Sequence, residues 1–313
     1  MKNILAIIMF TLILPTAQAE IQVVYGKDNR QDMYQVTNAL HKKLAASTAG
    51  MVRVGMLTRS SKANMFDLQG SQSLERADNM CTSEAFAQQP TAPVCSGFLV
   101  GPDTLVTAGH CYNAMGTPED TCKQFVWVFD YDMNSATANP TRDISFGNVY
   151  MCKKVVSVKR DGNVDFSIIK LDRSVVGREP LKFRTSGTIS NSVQLVVIGH
   201  PSGLPTKVSA GARVTFNSEP TRFSTTLDSF HGNSGSAVFD AASGQIEGIL
   251  IMGKSDYTPS IPSNPKSCLV TNKCDENAQN CTAGVEAGVV AKGEVVLRIT
   301  AAMADIKLGL STK

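Results

Sequence analysis

Short runs of Val, Ile, Leu, Phe and Thr, broken repeatedly by Gly, Pro, Asn, Asp and Ser, constrain the fold of this chain more than any other feature. They fall at Met51–Met56, Cys95–Val100, Thr104–Ala108, Phe125–Phe129, Val155–Val158, Phe166–Leu171, Gln194–Gly199, Ala212–Phe216, Ser236–Phe239 and Ile246–Met252. Runs of this length with turn residues between them predict an all-β protein, a sandwich or a barrel. Helical patterns alternating with strands are missing, which argues against a parallel α/β sheet. Two exceptions stand at the ends. Val36, Leu40 and Leu44 recur at helical spacing within the polar segment 20–48. Val295, Val296, Ile299, Met303, Ile306 and Leu310 do so nearly, and predict a C-terminal helix over Lys292 to Leu310. Residues 113–122 and 132–143 read as surface loops, and 254–285 as a long loop pinned by cysteines.

The first residues read as a targeting signal. Lys2 precedes the apolar run Ile4 to Leu14, and Ala17-Gln18-Ala19 offers the small residues of a signal-peptidase site. A run of about 11 apolar residues is too short for a bilayer, which needs roughly 20. No Cys follows the cut, so a lipid anchor is not expected. Residues 1–19 are therefore expected to be removed and the rest exported, to the periplasm or beyond the cell. In an oxidising compartment the eight cysteines (Cys81, Cys95, Cys111, Cys122, Cys152, Cys268, Cys274, Cys281) are expected to pair as disulfides. A metal site at Cys268, Cys274 and Cys281 is the rival reading. Their spacing is looser than a CxxC pair and no His lies in that loop, so no metal or other cofactor is expected. A net charge of +3 gives no reason to expect nucleic acid.

The chemistry concentrates in two segments. Thr104-Leu-Val-Thr-Ala-Gly-His-Cys111 ends an apolar strand on a histidine. Asp228-Ser-Phe-His-Gly-Asn-Ser-Gly-Ser-Ala-Val-Phe239 sets Ser234 among glycines. Where glycine flanks a serine, the backbone can aim consecutive N–H groups at one point, which can then hold an oxyanion. By itself such a stretch is more often a plain turn.

Taken together and in order, the motifs resemble the trypsin-like serine peptidases of the chymotrypsin fold. Cys95-Ser-Gly-Phe-Leu-Val and Leu105-Val-Thr-Ala-Gly-His-Cys resemble the strand and histidine motif, Asp165-Phe-Ser-Ile-Ile-Lys-Leu the aspartate motif, and Gly232-Asn-Ser-Gly-Ser the nucleophile motif of the V8-like glutamyl endopeptidases. Val197-Ile-Gly-His-Pro-Ser-Gly is similar to a Gly-Tyr-Pro stretch of bacterial members, and Tyr25–Arg30 to their mature N-terminal segment, which places a mature start close to Val23. The resemblance implies two packed antiparallel six-stranded β-barrels. The first would span 49–180 with His110 and Asp165, the second 181–313 with Ser234, and 20–48 would be an N-terminal segment or short propeptide. It implies Ser234 as nucleophile, His110 as general base and Asp165 as the residue orienting His110, with the amides of Gly232 and Ser234 as oxyanion hole. It also implies a Cys95–Cys111 bridge. The other six cysteines allow 15 pairings.

Specificity is read from the same comparison. Asp228, six residues before Ser234, stands where trypsins keep the carboxylate at the base of the primary pocket, which would favour Arg or Lys. Ser229, His231, Met252 and Gly253 would line that pocket, and His231 could also modulate charge at the oxyanion hole. Leu250 occupies the place of the histidine that Glu-specific members use. Ile251 replaces the serine beside the catalytic aspartate, and Asn233 replaces the aspartate that captures a new N-terminus in trypsins. His200, before Pro201, is expected to be structural, and His41 solvated.

The function so implied is that of a secreted, monomeric serine endopeptidase acting on protein or peptide substrates. An endopeptidase of another specificity, including Glu, and a non-catalytic binding protein of the same fold are the alternatives. An α/β-hydrolase would carry Ser before Asp before His, and here His110 comes first.

Overall fold

The computed structural model describes residues 23–113, 116–284 and 292–312, so the expected signal segment 1–19 lies outside the described residues. Six strands form a first closed antiparallel barrel: β1 (Thr48–Arg53), β2 (Cys95–Leu99), β3 (Thr104–Thr107), β4 (Phe125–Phe129), β5 (Val149–Arg160) and β6 (Asp165–Leu171). Their order around the barrel is β4-β5-β6-β3-β2-β1, and β1 closes it by pairing with β4, Val126 opposite Val52. Its interior is filled by Phe98, Leu105, Phe125, Trp127, Phe129 and Ile168, none with measurable exposure.

Six more strands make the second barrel: β7 (Gln194–Gly199), β8 (Lys207–Phe216), β9 (Arg222–Thr225), β10 (Ala237–Asp240), β11 (Ile246–Met252) and β12 (Glu294–Arg298). They run β7-β10-β11-β12-β9-β8, and the β7–β8 pairing closes the ring. Strand β7 shows why its apolar run is unbroken. Leu195 and Val197 face one cluster with Val238, Leu250 and Val296, while Val196 and Ile198 face the main core that also holds Phe98 and Trp127. With period-2 alternation, a strand apolar on both faces must be covered on both.

Three expectations change. Within 113–122, read as a loop, Pro118 opens an α-helix, Pro118–Gln124, capped by the Thr117 side chain. The helical pattern at the C-terminus divides: Glu294–Arg298 is barrel strand β12, and only Met303–Ser311 is α-helix, after a 3-10 turn at Ile299–Ala302. Val295, Val296 and Leu297 are wholly buried between β9 and β11, so both faces of that segment are apolar and it satisfies its amides across a sheet. The N-terminal segment is woven into the second barrel. Arg30–Asp32 pairs with β8, and Val24–Tyr25 pairs with Lys273–Cys274. The helix Ala39–Ala45 begins on Asn38, whose side chain accepts the amides of Leu40 and His41. His41 is buried, not solvated.

Four disulfides cross the described residues: Cys81–Cys268, Cys95–Cys111, Cys122–Cys152 and Cys274–Cys281. Cys81–Cys268 is the long-range one, tying the loop between β1 and β2 to the loop between β11 and β12. No helix among the described residues is long and apolar enough to cross a membrane.

Candidate active site

The histidine segment enters the site from β3. Ser167 of β6 lies opposite Thr107 of β3, so Asp165 at the start of β6 arrives beside the turn that follows β3. There the main-chain N–H of His110 donates to Asp165 Oδ1 at 2.8 Å, and its Nδ1 lies 2.6 Å from Asp165 Oδ2. Two contacts to one carboxylate fix both the ring's tilt and its tautomer: the proton sits on Nδ1 and Nε2 is left as the basic nitrogen. The pair is largely shielded, with side-chain exposures of 7% and 15%.

The serine segment comes from the second barrel and is laid against the first. Ser96 of β2 donates its amide to the carbonyl of Ser234 at 2.8 Å, and its hydroxyl to the carbonyl of Gly232 at 2.8 Å. The Cys111 sulfur lies 3.8 Å from the same Ser234 carbonyl, so the Cys95–Cys111 bridge backs the loop. Two glycines allow this approach. Gly232 (φ +83°) and Gly235 (φ +85°) hold left-handed backbone, and a Cβ on Gly235 would stand 2.3 Å from the Ser96 carbonyl. Neighbouring amides are committed inward: Asn233 to Phe230, Gly235 to Leu250 and Ser236 to Asn233. Ser234 itself is buried. The sulfurs of Cys95 and Cys111 lie near His110 but are joined to each other, so they offer no thiolate for a metal.

The structure gives Asp228 a different place from the sequence expectation. Its Oδ1 accepts the amide of Tyr25 and its Oδ2 the amide of Asn29, both at 2.7 Å. The carboxylate clamps the N-terminal segment, with both oxygens taken by main-chain amides. Burial pushes its pKa up to about 7 despite these two donors. Ser229 next to it is also enclosed: its amide donates to Val23 and its hydroxyl accepts from Asn233 Nδ2 at 3.2 Å. Asn233 is thus engaged with Ser229 and Ser236. Met252 and Gly253 follow β11, with Met252 opposite Val295 of β12. His200 is buried; its Nδ1 lies 3.1 Å from the Leu204 carbonyl, and desolvation lowers its pKa to about 4.

Three carboxylates near these segments were not picked out by motif. Glu294 opens β12, beside Gly253 and Lys254. Its Oε1 accepts the Tyr25 hydroxyl (2.9 Å) and the Lys254 amide (3.3 Å), whereas Oε2 is buried without a hydrogen-bond partner. Burial raises its pKa well above the ordinary range. His231 has Nδ1 2.6 Å from Asp256 and Nε2 3.3 Å from Asp78. Burial raises the pKa of both acids, that of Asp256 to about 6. Glu294 was hidden inside an apparent helix, and Asp78 and Asp256 lie in loops that carry no signature.

Residues 95–249 match the family profile of the trypsin-like peptidase domain. A glutamyl endopeptidase of Bacillus licheniformis is 27% identical over 167 residues, 48% of this chain and 46% of that protein, so the chain matches about half of that relative's length. The solved structure of the Vibrio cholerae VesB protease shares the fold, with a TM-score of 0.50 at 12% identity, covering 91% of this chain and 67% of the other. A Glu endopeptidase solved in complex with MPD gives 0.48 at 16% identity, over 93% and 100% of the two chains. Over residues 95–249 the chain is a member of the trypsin-like peptidase domain family.

Proposed function

We propose that this chain is an exported serine endopeptidase that cleaves after Arg or Lys. The observation that carries the hydrolase reading is the two-point His110–Asp165 contact, set in the barrel against which the Gly232–Gly235 loop is seated. His110 Nε2 takes the Ser234 hydroxyl proton as the oxygen attacks the scissile carbonyl. The amides of Gly232 and Ser234 receive the oxyanion, and His110 returns the proton to the leaving amine as the acyl-enzyme forms. Water then attacks the ester by the same proton path, releasing the acid and restoring Ser234. Each oxyanion donor is worth about 3–4 kcal/mol in such sites.

The preference for a cation rests on Glu294 in place of Asp228. A buried carboxylate oxygen lacking a donor is costly, and an entering guanidinium or ammonium supplies one. Tyr25 and Lys254 hold the other oxygen. Leu250, where Glu-specific relatives carry a histidine, leaves that place without a cation for an acidic side chain. Export is supported by the four disulfides, which persist in oxidising compartments.

A fluorophosphonate probe tests the first half: wild type labels and Ser234→Ala does not. If neither labels, the fold serves binding instead. Peptide-library cleavage tests the second half. Glu294→Gln is expected to lose about 100-fold in kcat/KM on Arg and Lys sites while keeping its labelling, because an amide, unlike the carboxyl, cannot give up a proton when a cation enters beside it. A wild-type preference for Glu, or an unchanged Arg/Lys preference in Glu294→Gln, overturns the assignment.

A further inference from the structure

His231 is the residue immediately before Gly232, so whatever holds its main chain also sets the first amide of the oxyanion hole. Its main-chain N–H donates to Asp256 Oδ2 at 3.1 Å, and its carbonyl accepts from the Ser202 amide. Its ring reaches the same Asp256 oxygen through Nδ1 and meets Tyr257 edge-on, with centroids 6.2 Å apart. The Tyr257 hydroxyl in turn hydrogen-bonds Ser202. These contacts all belong to the second barrel. The Nε2 contact does not: Asp78 lies in the long loop of the first barrel.

Asp78 is held where it is by independent ties. Its amide caps the short helix Leu74–Ala77 through Leu74. Beyond it, the Asn79 carbonyl accepts the amide of Leu269, the Cys81 amide donates back to the Leu269 carbonyl (2.8 Å each), and Cys81 is bridged to Cys268. Asp256 shares that second-barrel loop, its carbonyl accepting the amide of Asn272 at 2.8 Å. A strap between the barrels therefore presents two carboxylates to one imidazole.

We propose that Asp78, acting through His231, is a positioning residue that locks the oxyanion-hole loop of the second barrel to the first. A neutral imidazole carries one N–H, which Asp256 takes at Nδ1, and offers Asp78 no charge; the imidazolium keeps that hydrogen bond and faces Asp78 as an ion pair at 3.3 Å. The bridge is complete only with His231 protonated and both acids ionised, and it opens on the alkaline side when the imidazolium loses its proton. The charged or titratable groups around it are Asp78, Asp256 and Tyr257, with Arg30, Lys254 and Glu294 beyond them. Catalysis needs the opposite state of the other histidine, since His110 must be neutral to act as base. The two requirements together give kcat a rising acid limb from His110 and a falling alkaline limb from His231.

This inference rests on the peptidase reading of Ser234. It is tested by kcat and KM against pH on a peptide substrate, with fluorophosphonate labelling rates, for the full chain and for Asp78→Asn and His231→Gln. Asp78→Asn is expected to lower kcat about 10-fold, a misplaced rather than a lost oxyanion donor. KM stays within twofold and the alkaline limb moves to lower pH. His231→Gln loses that limb. If Asp78→Asn fails to fold, the limb in His231→Gln decides alone. Wild-type kcat and alkaline limb in Asp78→Asn overturn the bridge, as does a rise in KM at unchanged kcat, which would mark a rim charge touching substrate. A wild type that neither labels nor turns over overturns the peptidase reading, and the catalytic role of the bridge with it.

Discussion

The chain builds nearly the same histidine–aspartate pair twice. His110 and Asp165 meet through Nδ1 and Oδ2 at 2.6 Å with the histidine amide on the same carboxylate, and His231 and Asp256 repeat both contacts. What separates them is surroundings. The His110 side chain is 7% exposed and stands at the seam where the Ser234 loop is seated; the His231 side chain is 41% exposed and its Nε2 faces a second carboxylate. A dyad whose Nε2 is left as an acceptor suits a base, whereas one whose Nε2 is answered by an anion suits a fixed cation. Geometry of the pair alone does not assign a catalytic role.

Asp165→Asn and Asp256→Asn test that distinction most sharply. The first is expected to lower kcat about 10⁴-fold by allowing the wrong tautomer of His110. The second is expected to lower it only about 10-fold, through the displaced loop. Equal losses in steady-state assays would erase the difference between the pairs. Gly235→Ala comes next: a left-handed residue with its Cβ against the Ser96 carbonyl should lose about 3 kcal/mol of stability in urea unfolding, and activity with it. A comparable loss is expected for Cys81→Ser with Cys268→Ser, about 3 kcal/mol in the chain-entropy account. The alkaline limb of kcat should also shift there, while the acid limb set by His110 should not.

The smallest effect is one of pH. The Asp256 carboxyl is raised to about 6, mainly by burial, from an ordinary value near 4. The folded chain then holds that proton more tightly than the unfolded one, so this contribution to stability is present below about pH 4 and is lost as pH rises through about 6. Asp256→Asn should flatten that part of the stability–pH curve. Asp228, raised to about 7, adds a slope of the same sign that Asp256→Asn leaves in place.

Much of the barrel architecture was legible locally. Phe125–Phe129, Gln194–Gly199 and Ile246–Met252 are strands over the very residues whose composition marks them. Strand β12 was not, because Val295, Val296 and Ile299 fit a helical spacing and a sheet buried on both faces equally well. The short strand β9, Arg222–Thr225, carries too few apolar residues to announce itself. In the site, motif reading singled out His110 and Asp165, which the fold joins, and the Ser234 loop, which it seats against the first barrel. It could not foresee that the N-terminal segment would take both oxygens of Asp228, since Tyr25 and Asn29 are far from it in the chain.

The order of strands, the punctuating glycines and the His–Asp–Ser succession were written in the sequence, because each depends on residues adjacent along the chain. Which amides take the oxygens of Asp228, how eight cysteines pair and which acids flank His231 were decided only on folding. Those outcomes depend on amides and side chains that distant loops bring within 3 Å or so, a distance no local pattern encodes.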